Sequence, residues 1–228
     1  MTVSIIIPFY NEEECVEEVL DEVIQCMPNA EIIAIDDGST DTTVEKIKAL
    51  GQVRCLEMGK NCGQSAAMYY GLIQASGDVC VMMDGDGQND PADIPSLLDL
   101  LQDNNFVCGY RKTRRDNWQK KMASRIANNI RRFFLRDGVR DTGCSLKAMR
   151  AEHVRFLVPF NGLHRFMPAL LTQAGLSVTE VPVNHRPRTK GVSKYTVAGR
   201  AWKGIYDMVG VSWLLTRLVR WPINPFLR

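Results

Sequence analysis

The stretch that decides the fold is VCVMMDGDGQ, residues 79–88. Its first half is a continuous apolar run, which is typical of a strand buried on both faces of a parallel sheet. Its second half places Asp84, Asp86 and Gln88 at alternate positions directly after that strand. Open α/β sheets bind their ligands beyond the carboxyl ends of the strands. Because hard divalent cations take oxygen ligands, we interpret the stretch as a metal site that grips a diphosphate, with a solvated acidic turn as the alternative.

The sequence on either side of this stretch alternates between short β-branched runs and helical patterns. Strands are predicted at residues 4–7, 31–35, 53–57, 79–83 and 106–108, and helices near residues 12–26, 41–50, 64–75 and 91–102. Apolar strands separated by helices indicate a parallel sheet that is covered on both faces. We therefore predict an α/β fold with a doubly wound, Rossmann-like and mostly parallel sheet.

The composition is that of a globular protein with an uneven distribution of charge. A chain of 228 residues fits one domain of ordinary size, and its 45% hydrophobic residues suffice for a real core. The net charge of +2 conceals ten Lys or Arg against Asp116 in residues 111–136, a local charge of +9 that leaves −7 for the remainder. Such asymmetry predicts a polyanionic partner surface, either nucleic acid or anionic lipid.

The cysteines, the histidines and the amino-terminal residues argue against a disulfide-rich, a histidine-metal and a secreted protein. The seven cysteines include no Cys-x-x-Cys pair, and their odd number argues against a complete disulfide framework. We predict reduced thiols, mostly in the core of a cytosolic protein. The three histidines lack metal-ligand spacing. Residues 1–20 lack a signal-peptide pattern, and no run reaches the about 18 apolar residues of a membrane span.

Two segments are predicted to meet a membrane surface. Between residues 113 and 136, large hydrophobic residues recur at helical spacing among basic ones, at Trp118, Met122, Ile126, Ile130 and Phe133 or Phe134. This pattern predicts a basic amphipathic helix at the lipid interface, with a core-packing helix as the alternative. Residues 196–228 arrange aromatic and cationic residues around a short apolar core, 208–215. We expect this tail to lie on the membrane or to dock on a partner protein, without a transmembrane span.

Two further strand-to-helix corners, residues 8–12 and 36–41, are expected at the same edge of the sheet as Asp84. Ser39 or Asp41 would cap the following helix, which leaves Asp37 as one carboxylate more than capping requires. Asp37 is suited to accept hydrogen bonds from a base or ribose, and Tyr10 to offer an aromatic face to a base. Neither a Gly-x-x-x-x-Gly-Lys-Ser/Thr loop nor a Gly-x-Gly-x-x-Gly at the first corner is present, which disfavours kinase-type and NAD-type sites.

These motifs, taken in order, resemble family 2 glycosyltransferases of the GT-A fold. The resemblance is to the branch of dolichol-phosphate mannose synthase and bacterial polyprenyl-phosphate glycosyltransferases. The matching motifs are IPFYNE (7–12), DDGS (36–39), NCG (61–63) with Ala67, Gly71 and ASGD (75–78), DGDGQ (84–88), GYR (109–111), DTGCS (141–145) and RTKGVSK (188–194). The resemblance implies a catalytic domain over residues 1–195, followed by the amphipathic tail. Many relatives continue into transmembrane helices, which this sequence lacks up to Arg228.

The resemblance also implies roles for individual residues. The nucleoside would be held by Pro8, Tyr10, Glu12, Ile35 and Asp37. The diphosphate would be lined by Asp84, Gly85 and Asp86, with Asp86 and Gln88 on Mg²⁺ or Mn²⁺. Arg111, Arg188 and Lys194 would meet the donor diphosphate or the acceptor phosphate. Asp141 would lie beside the reaction centre as a base or as an orienter of the acceptor, the alternative being a turn-forming role before Gly143.

The activity implied is inverting, metal-dependent transfer of a sugar to a polyprenyl or dolichyl phosphate at the cytoplasmic membrane face. The donor would be GDP-mannose or a UDP-sugar. Transfer leaves negative charge on the departing phosphate, which a metal and nearby guanidinium groups stabilise. The catalytic residues would then be Asp86, Arg111 and Asp141. An acceptor phosphomonoester has a second pKa of about 6, so it needs little help from a base.

Several alternatives stay open at this point. A glycosyltransferase acting on a glycan or protein shares the fold, although the basic helix and aromatic tail favour a lipid acceptor. A nucleotidyltransferase would release pyrophosphate instead. Nucleic-acid binding is disfavoured because the acidic corner repels a phosphate backbone. We predict that residues 186–195, with four cations, one Gly and one Pro, form a mobile flap over the diphosphate. A homo-oligomer or a membrane partner protein is also compatible with the sequence.

Overall fold

The computed structural model describes residues 1–111, 131–132, 134–135, 137–187 and 197–218. Within these residues the strands are β1 (Val3–Phe9), β2 (Glu31–Asp36), β3 (Arg54–Glu57), β4 (Val79–Met82), β5 (Phe106–Arg111), β6 (Lys147–Arg150) and β7 (Val178–Val183). The α-helices are α1 (Val16–Cys26), α2 (Thr43–Ala49), α3 (Gln64–Gln74), α4 (Ile94–Leu100), α5 (Leu163–Gln173) and α6 (Val197–Arg217). Short 3₁₀-helices cover Pro91–Asp93 and Ala151–Phe156.

The strands form a single mixed sheet in the order β3-β2-β1-β4-β6-β5-β7. All neighbours are parallel except β6, which runs antiparallel to both β4 and β5. The predicted mostly parallel sheet is therefore confirmed, but β5 lies two strands away from β4 because β6 is inserted between them. Neither β6 nor β7 is predicted from the sequence. β6 begins and ends with a charged residue, and β7 contains Pro182, which is tolerated because β7 is an edge strand.

The core consists of one apolar layer on each face of the sheet. Successive residues of a strand point to opposite faces, so Ile5 and Ile7 of β1 pack under α1, α2 and α4, whereas Ile6 packs under α3 and α5. All three are fully buried. No disulfide joins the seven cysteines, and four of them, Cys15, Cys80, Cys108 and Cys144, are buried. Burial raises the pKa of Cys80 to about 12, as expected of a core thiol.

The direction of the strands brings seven segments to one edge of the sheet. β1, β2, β3, β4, β5 and β7 end at this edge, whereas the antiparallel β6 begins there. The residues that follow the six parallel strands and the turn that precedes β6 therefore meet at the carboxyl edge. This turn, residues 141–146, contains Asp141.

The helix α6 packs on α5 through one face only. Val211 and Leu215 join the core layer, and the Gln173 side chain donates to the Leu215 carbonyl oxygen at 2.9 Å. Arg165 Nη2 of α5 lies 2.5 Å from Asp207 Oδ2. Among the described residues no helix combines the length and apolar character that crossing a bilayer requires.

The predicted basic helix near residues 113–136 is described only at residues 131, 132, 134 and 135, all of which are helical. Among these residues Leu135 is buried and Phe134 is exposed. Arg131 departs from the expected basic surface, because it is buried, pairs with Asp137 at 3.1 Å and donates to the Val139 carbonyl. Arg188, Lys194 and residues 219–228 lie outside the described residues.

Candidate active site at the carboxyl edge of the sheet

The corner after β2 holds its two carboxylates in different ways. Asp36 closes its own corner by accepting from the backbone N–H groups of Gly38 and Ser39, each at 3.1 Å. Asp37 turns instead toward the loop before α3, where it accepts from Cys62 N at 2.6 Å and Gly63 N at 2.9 Å. Burial raises the pKa of the Asp37 carboxyl, although these two N–H groups act in the opposite direction.

This corner requires a glycine at position 38. Gly38 has a φ of +73°, and a Cβ placed on it would lie 2.4 Å from the Lys60 carbonyl carbon. The loop before α3 can therefore approach the corner closely enough for its N–H groups to reach Asp37.

The corners after β1 and β2 are tied to each other. Asn11 N donates to Ser39 Oγ at 2.9 Å, and Thr40 N donates to Asn11 Oδ1 at 2.7 Å. Asp41, rather than Ser39, accepts from the N–H of Thr43 at the start of α2, at 3.0 Å. The tie makes the corner with the half-buried Pro8, Tyr10 and Glu12 a neighbour of the corner with Asp37.

At the corner after β4, Asp84 is held by neighbours from two other elements. Gln64 Nε2, at the start of α3, donates to Asp84 Oδ1 at 2.5 Å. Asp84 N donates to the Oδ1 of the buried Asn89 at 3.0 Å, and the same oxygen accepts from Ser145 Oγ at 2.8 Å. Burial, together with the negative charge of Asp86, raises the pKa of Asp84 to about 6.

Asp86 and Gln88 belong to the same corner and are half-buried. Asp86 Oδ1 accepts from Gln88 N at 3.2 Å, and Gln88 Nε2 donates to the Arg186 carbonyl oxygen at 3.3 Å. Between the two carboxylates, Gly85 lies against the Phe9 ring, and a Cβ there would be 2.5 Å from two ring carbons. The absence of a side chain at position 85 therefore allows the corner to fold back onto β1.

The acidic corner fits a cation whose coordination a ligand completes. Among the described residues no three His, Cys, Asp or Glu side chains are grouped as a metal cage. Mg²⁺ is usually held by only one or two carboxylates together with waters and substrate phosphates. Asp86, with Asp84 two positions away, supplies such an incomplete set of oxygen ligands.

Arg111 and Asp141, both predicted to be catalytic, form an ion pair with each other. Arg111 Nε lies 2.7 Å from Asp141 Oδ2, and Nη2 lies 2.8 Å from Oδ1. The exposed fractions of the two side chains are 15% and 14%. Asp141 Oδ1 also accepts from Gly143 N at 3.2 Å, which is the turn-forming role. Asp141 thus orients the guanidinium at the end of β5 and shapes the turn before β6.

The segment after β7 is anchored to the acidic corner. Arg186 Nη1 lies 2.7 Å from Glu22 Oε2 of α1, and its Nη2 lies 2.9 Å from Asp90 Oδ1. Its backbone N donates to the Gln88 carbonyl oxygen at 2.9 Å. The first residue of the predicted flap is therefore fixed in place, and the prediction of mobility concerns residues 188–195, outside the described residues.

Ile35 differs from the other predicted nucleoside contacts. Its side chain is fully buried in the core layer under α3, where its Cδ1 lies against Gly71. The structure therefore gives Ile35 a packing role below the site. Direct contact of this residue with a nucleoside stays a prediction.

Four polar residues at this edge are not predicted from the sequence, namely Gln64, Asn89, Ser145 and Lys147. Lys147 is only 1% exposed, donates to the Cys144 carbonyl, and provides positive charge that lowers the pKa of Asp84. A signal was present at Lys147, because a lysine in the otherwise apolar run 146–149 is unusual. Gln64 directly follows the NCG motif.

Comparison with known proteins agrees with this geometry. A family model described as glycosyl transferase family 2 matches residues 4–157, which include the corners after β1, β2 and β4 and the Arg111–Asp141 pair. The chain belongs to this family. The resemblance inferred from the motifs is thereby confirmed.

Two relatives of this glycosyltransferase family 2 chain are named as polyprenyl-phosphate sugar transferases. Dodecaprenyl-phosphate galacturonate synthase of Rhizobium johnstonii is 35% identical, over 94% of this chain and 68% of the relative. Undecaprenyl-phosphate 4-deoxy-4-formamido-L-arabinose transferase of Edwardsiella ictaluri is 31% identical, over 91% of this chain and 66% of the relative. The chain thus spans about two thirds of the length of these relatives.

Solved structures confirm the GT-A-like fold. Glucosyl-3-phosphoglycerate synthase of Mycobacterium tuberculosis, in complex with phosphoglyceric acid, superposes with a TM-score of 0.71 at 20% identity, over 96% of this chain and 81% of that one. The same enzyme with Mn²⁺, UDP-glucose and phosphoglyceric acid gives 0.70 at 21% identity, over 92% and 80%. At this level of identity the likeness concerns the fold.

Proposed function

We propose that this glycosyltransferase transfers a sugar, with inversion, from a nucleoside diphosphate sugar to a polyprenyl phosphate in a metal-dependent reaction. The observation that carries the proposal is the acidic corner of residues 84–88. It lies at the same edge as the Asp37 corner and the Arg111–Asp141 pair. An edge with these groups offers separate places for a nucleoside, a diphosphate with its cation, and a second phosphate.

The donor would lie across the corners after β1, β2 and β4. Pro8, Tyr10, Glu12 and Asp37 would hold the nucleoside, and Asp84, Gly85 and Asp86 would line the diphosphate. Asp86 and Gln88 would hold Mg²⁺ or Mn²⁺, and the bound cation supplies Lewis-acid stabilisation of the departing phosphate. Arg188 and Lys194 are proposed to approach the diphosphate from the segment after β7.

The acceptor phosphate would meet Arg111, whose guanidinium Asp141 orients. A carboxylate with both oxygens bonded to a guanidinium is a poor proton acceptor, so the geometry favours a positioning role for Asp141 over that of a base. The acceptor, with a second pKa of about 6, attacks mainly as a dianion. Attack from the face opposite the leaving group gives a β-linked product from an α-linked donor.

The sugar is proposed only by class. The names of the two relatives include galacturonate and 4-deoxy-4-formamido-L-arabinose. A donor screen should therefore include acidic and amide-bearing sugars as well as mannose and glucose. GDP-mannose and UDP-sugars are both retained in the proposal.

The outer face of α6 supports a membrane-bound acceptor. Tyr206, Val209 and Trp213 follow the spacing of one helical stripe and are 77%, 64% and 64% exposed. Beside them a groove of about 330 Å³ is lined by Phe134, Met208, Val209, Ser212, Trp213 and Thr216. We propose that this face lies in the headgroup region of the cytoplasmic membrane leaflet, which would bring the lipid acceptor to the enzyme.

The proposal is tested by a thermal-shift screen of nucleotide sugars with and without Mn²⁺, followed by turnover with undecaprenyl phosphate. A donor at 100 times its Kd should stabilise the protein by about 2.7 kcal/mol. Asp86→Ala should abolish both the metal-dependent shift and turnover. Turnover that persists in Asp86→Ala with EDTA present contradicts the proposal, as does release of pyrophosphate, which identifies a nucleotidyltransferase. Transfer to a soluble glycan or protein instead of the lipid would replace the acceptor class.

A further inference from the structure

The N-terminus of α3 reaches over the sheet edge to the acidic corner. Gln64 is the first residue of α3, and its Nε2 donates to Asp84 Oδ1 at 2.5 Å. Hydrogen bonds to an ionised acceptor are stronger than those between neutral groups. The two side chains are 20 positions apart in the chain and come from different strand-to-helix crossovers, so only the fold brings them together.

Gln64 is itself held from both sides. The two preceding residues, Cys62 and Gly63, donate their N–H groups to Asp37. The next residue, the buried Ser65, accepts from Gly162 N at 2.9 Å and lies 2.8 Å from His164 Nδ1. The start of α3 therefore has a fixed position between the Asp37 corner and the N-terminus of α5, which aims the Gln64 amide at Asp84.

The chemistry of an amide suits this place. Asp84 and Asp86 carry like charges at one corner, and their repulsion favours rotation of Asp84 away from Asp86. A neutral N–H donor fixes the carboxylate without cancelling its charge, whereas a lysine would do both. The corner thus keeps the negative charge that a divalent cation requires.

We propose that Gln64 is a positioning residue of the donor site: it fixes the Asp84 carboxylate in the orientation that receives the donor diphosphate. This inference rests on the proposed function. It assigns to Gln64 an action through Asp84 rather than contact with the nucleotide.

The test is a double-mutant cycle on nucleotide binding. The affinity for UDP and for GDP, each with MnCl₂, is measured by calorimetry for the wild type, Gln64→Met, Asp84→Asn and the double variant. Loss of one charge-assisted hydrogen bond should weaken binding about 10-fold in Gln64→Met. In the Asp84→Asn background the same substitution should change the affinity less than 2-fold, because interacting residues are not additive. Gln64→Glu should weaken binding more than Gln64→Met, since it adds a like charge beside Asp84.

Two further measurements distinguish a positioning role of Gln64 from an effect of the substitution on folding, and neither depends on enzymatic turnover. Affinity for Mn²⁺ alone, followed by electron paramagnetic resonance, should fall in Gln64→Met, because the Asp84 carboxylate is no longer held in its orientation. Gln74→Met is the matched control, because Gln74 is a half-buried glutamine at the opposite end of α3 that contacts Arg54 instead of the site. It should bind nucleotide as the wild type does, and the thermal midpoints of Gln64→Met and Gln74→Met should be similar.

The possible results are distinguishable. Wild-type affinity in Gln64→Met overturns the inference, and so does an equal loss in the presence and absence of the Asp84 carboxylate, which would mean that Gln64 contacts the nucleotide directly. Failure of the wild type to bind either nucleotide would refute the proposed function itself, before any variant is compared.

Discussion

Each acidic side chain at the sheet edge has a separate partner that fixes its direction. Asp36 bonds to its own corner, Asp37 to the loop before α3, Asp84 to Gln64, and Asp141 to Arg111. Groups that are oriented before the ligand arrives need no rearrangement during the reaction. These contacts therefore set the direction of four carboxylates at the sheet edge in the ligand-free protein.

The raised pKa of Asp84 predicts a pH-dependent stability of the ligand-free protein. The ordinary pKa of this carboxyl is 3.8 and its folded value is about 6. The folded state therefore holds the proton more tightly, and this group lowers the free energy of unfolding as the pH rises from about 4 to about 6. Asp84→Asn should raise the free energy of unfolding at about pH 7.5 by about 1–3 kcal/mol.

This prediction is checked by urea unfolding of the wild type and of Asp84→Asn at several pH values between about 4.5 and about 7.5. The advantage of Asp84→Asn should be smaller at about pH 4.5 than at about pH 7.5. An advantage that is constant with pH would show that the ionisation of Asp84 is not its source. Asp99→Asn, which removes an exposed carboxylate from α4, is the control variant.

At the scale of elements, the reversed direction of β6 decides the composition of the site. Because β6 starts where β4 and β5 end, the turn of residues 141–146 joins the acidic corner. A parallel strand in that position would carry Asp141 to the opposite edge. β7 is parallel to β5 and therefore ends at the same edge. The residues that follow β7 pair with the loop after β4.

The anchoring of the segment after β7 is tested with Arg186→Gln. Removing the contacts with Glu22 and Asp90 should cost about 1 kcal/mol or less of global stability, because these groups are partly exposed. Amide hydrogen exchange of residues 184–186, followed by mass spectrometry, should nevertheless become at least about 5-fold faster, since the local opening energy falls. Arg54→Gln, which loses an exposed ion pair at the distant edge strand β3, should leave this exchange unchanged. Unchanged exchange in Arg186→Gln would mean that the backbone bonds alone hold the segment.

At the scale of the whole molecule, two described cations of the basic segment 111–136 are engaged in ion pairs. Arg111 and Arg131 are both largely buried and pair with Asp141 and Asp137. In the proposed membrane contact, the exposed aromatic stripe of α6 would add an apolar contribution to binding that does not depend on salt. Both contributions are needed for a reversible interfacial contact.

Flotation with vesicles that contain phosphatidylglycerol tests this contact. Binding should occur at low salt and decrease as salt is raised. Replacing both Tyr206 and Trp213 by Ser should weaken binding about 10-fold or more, because two large side chains lose their apolar burial. Ile73→Ser removes an exposed apolar side chain from α3 and should have no such effect. Wild-type protein that fails to float at low salt, or a double variant that binds equally, contradicts the membrane placement.

The strands and corners that carry local patterns were predictable. β1, β2 and β4 are continuous apolar runs, each followed by residues that only a turn accommodates, so both the fold class and the positions of Asp37, Asp84 and Asp86 followed from the sequence. These signals extend over a few neighbouring residues, so they can be recognised within one segment of the sequence.

The sequence by itself therefore determined a mostly parallel α/β sheet with acidic residues at its carboxyl edge, and the family to which the chain belongs. Only the tertiary structure decided that β6 enters the sheet in reverse, that Arg111 pairs with Asp141 across 30 positions, and that Gln64 holds Asp84. The physical reason is that hydrophobic periodicity is read within one element, whereas a hydrogen bond between distant residues depends on how the elements pack. No local pattern encodes that distance.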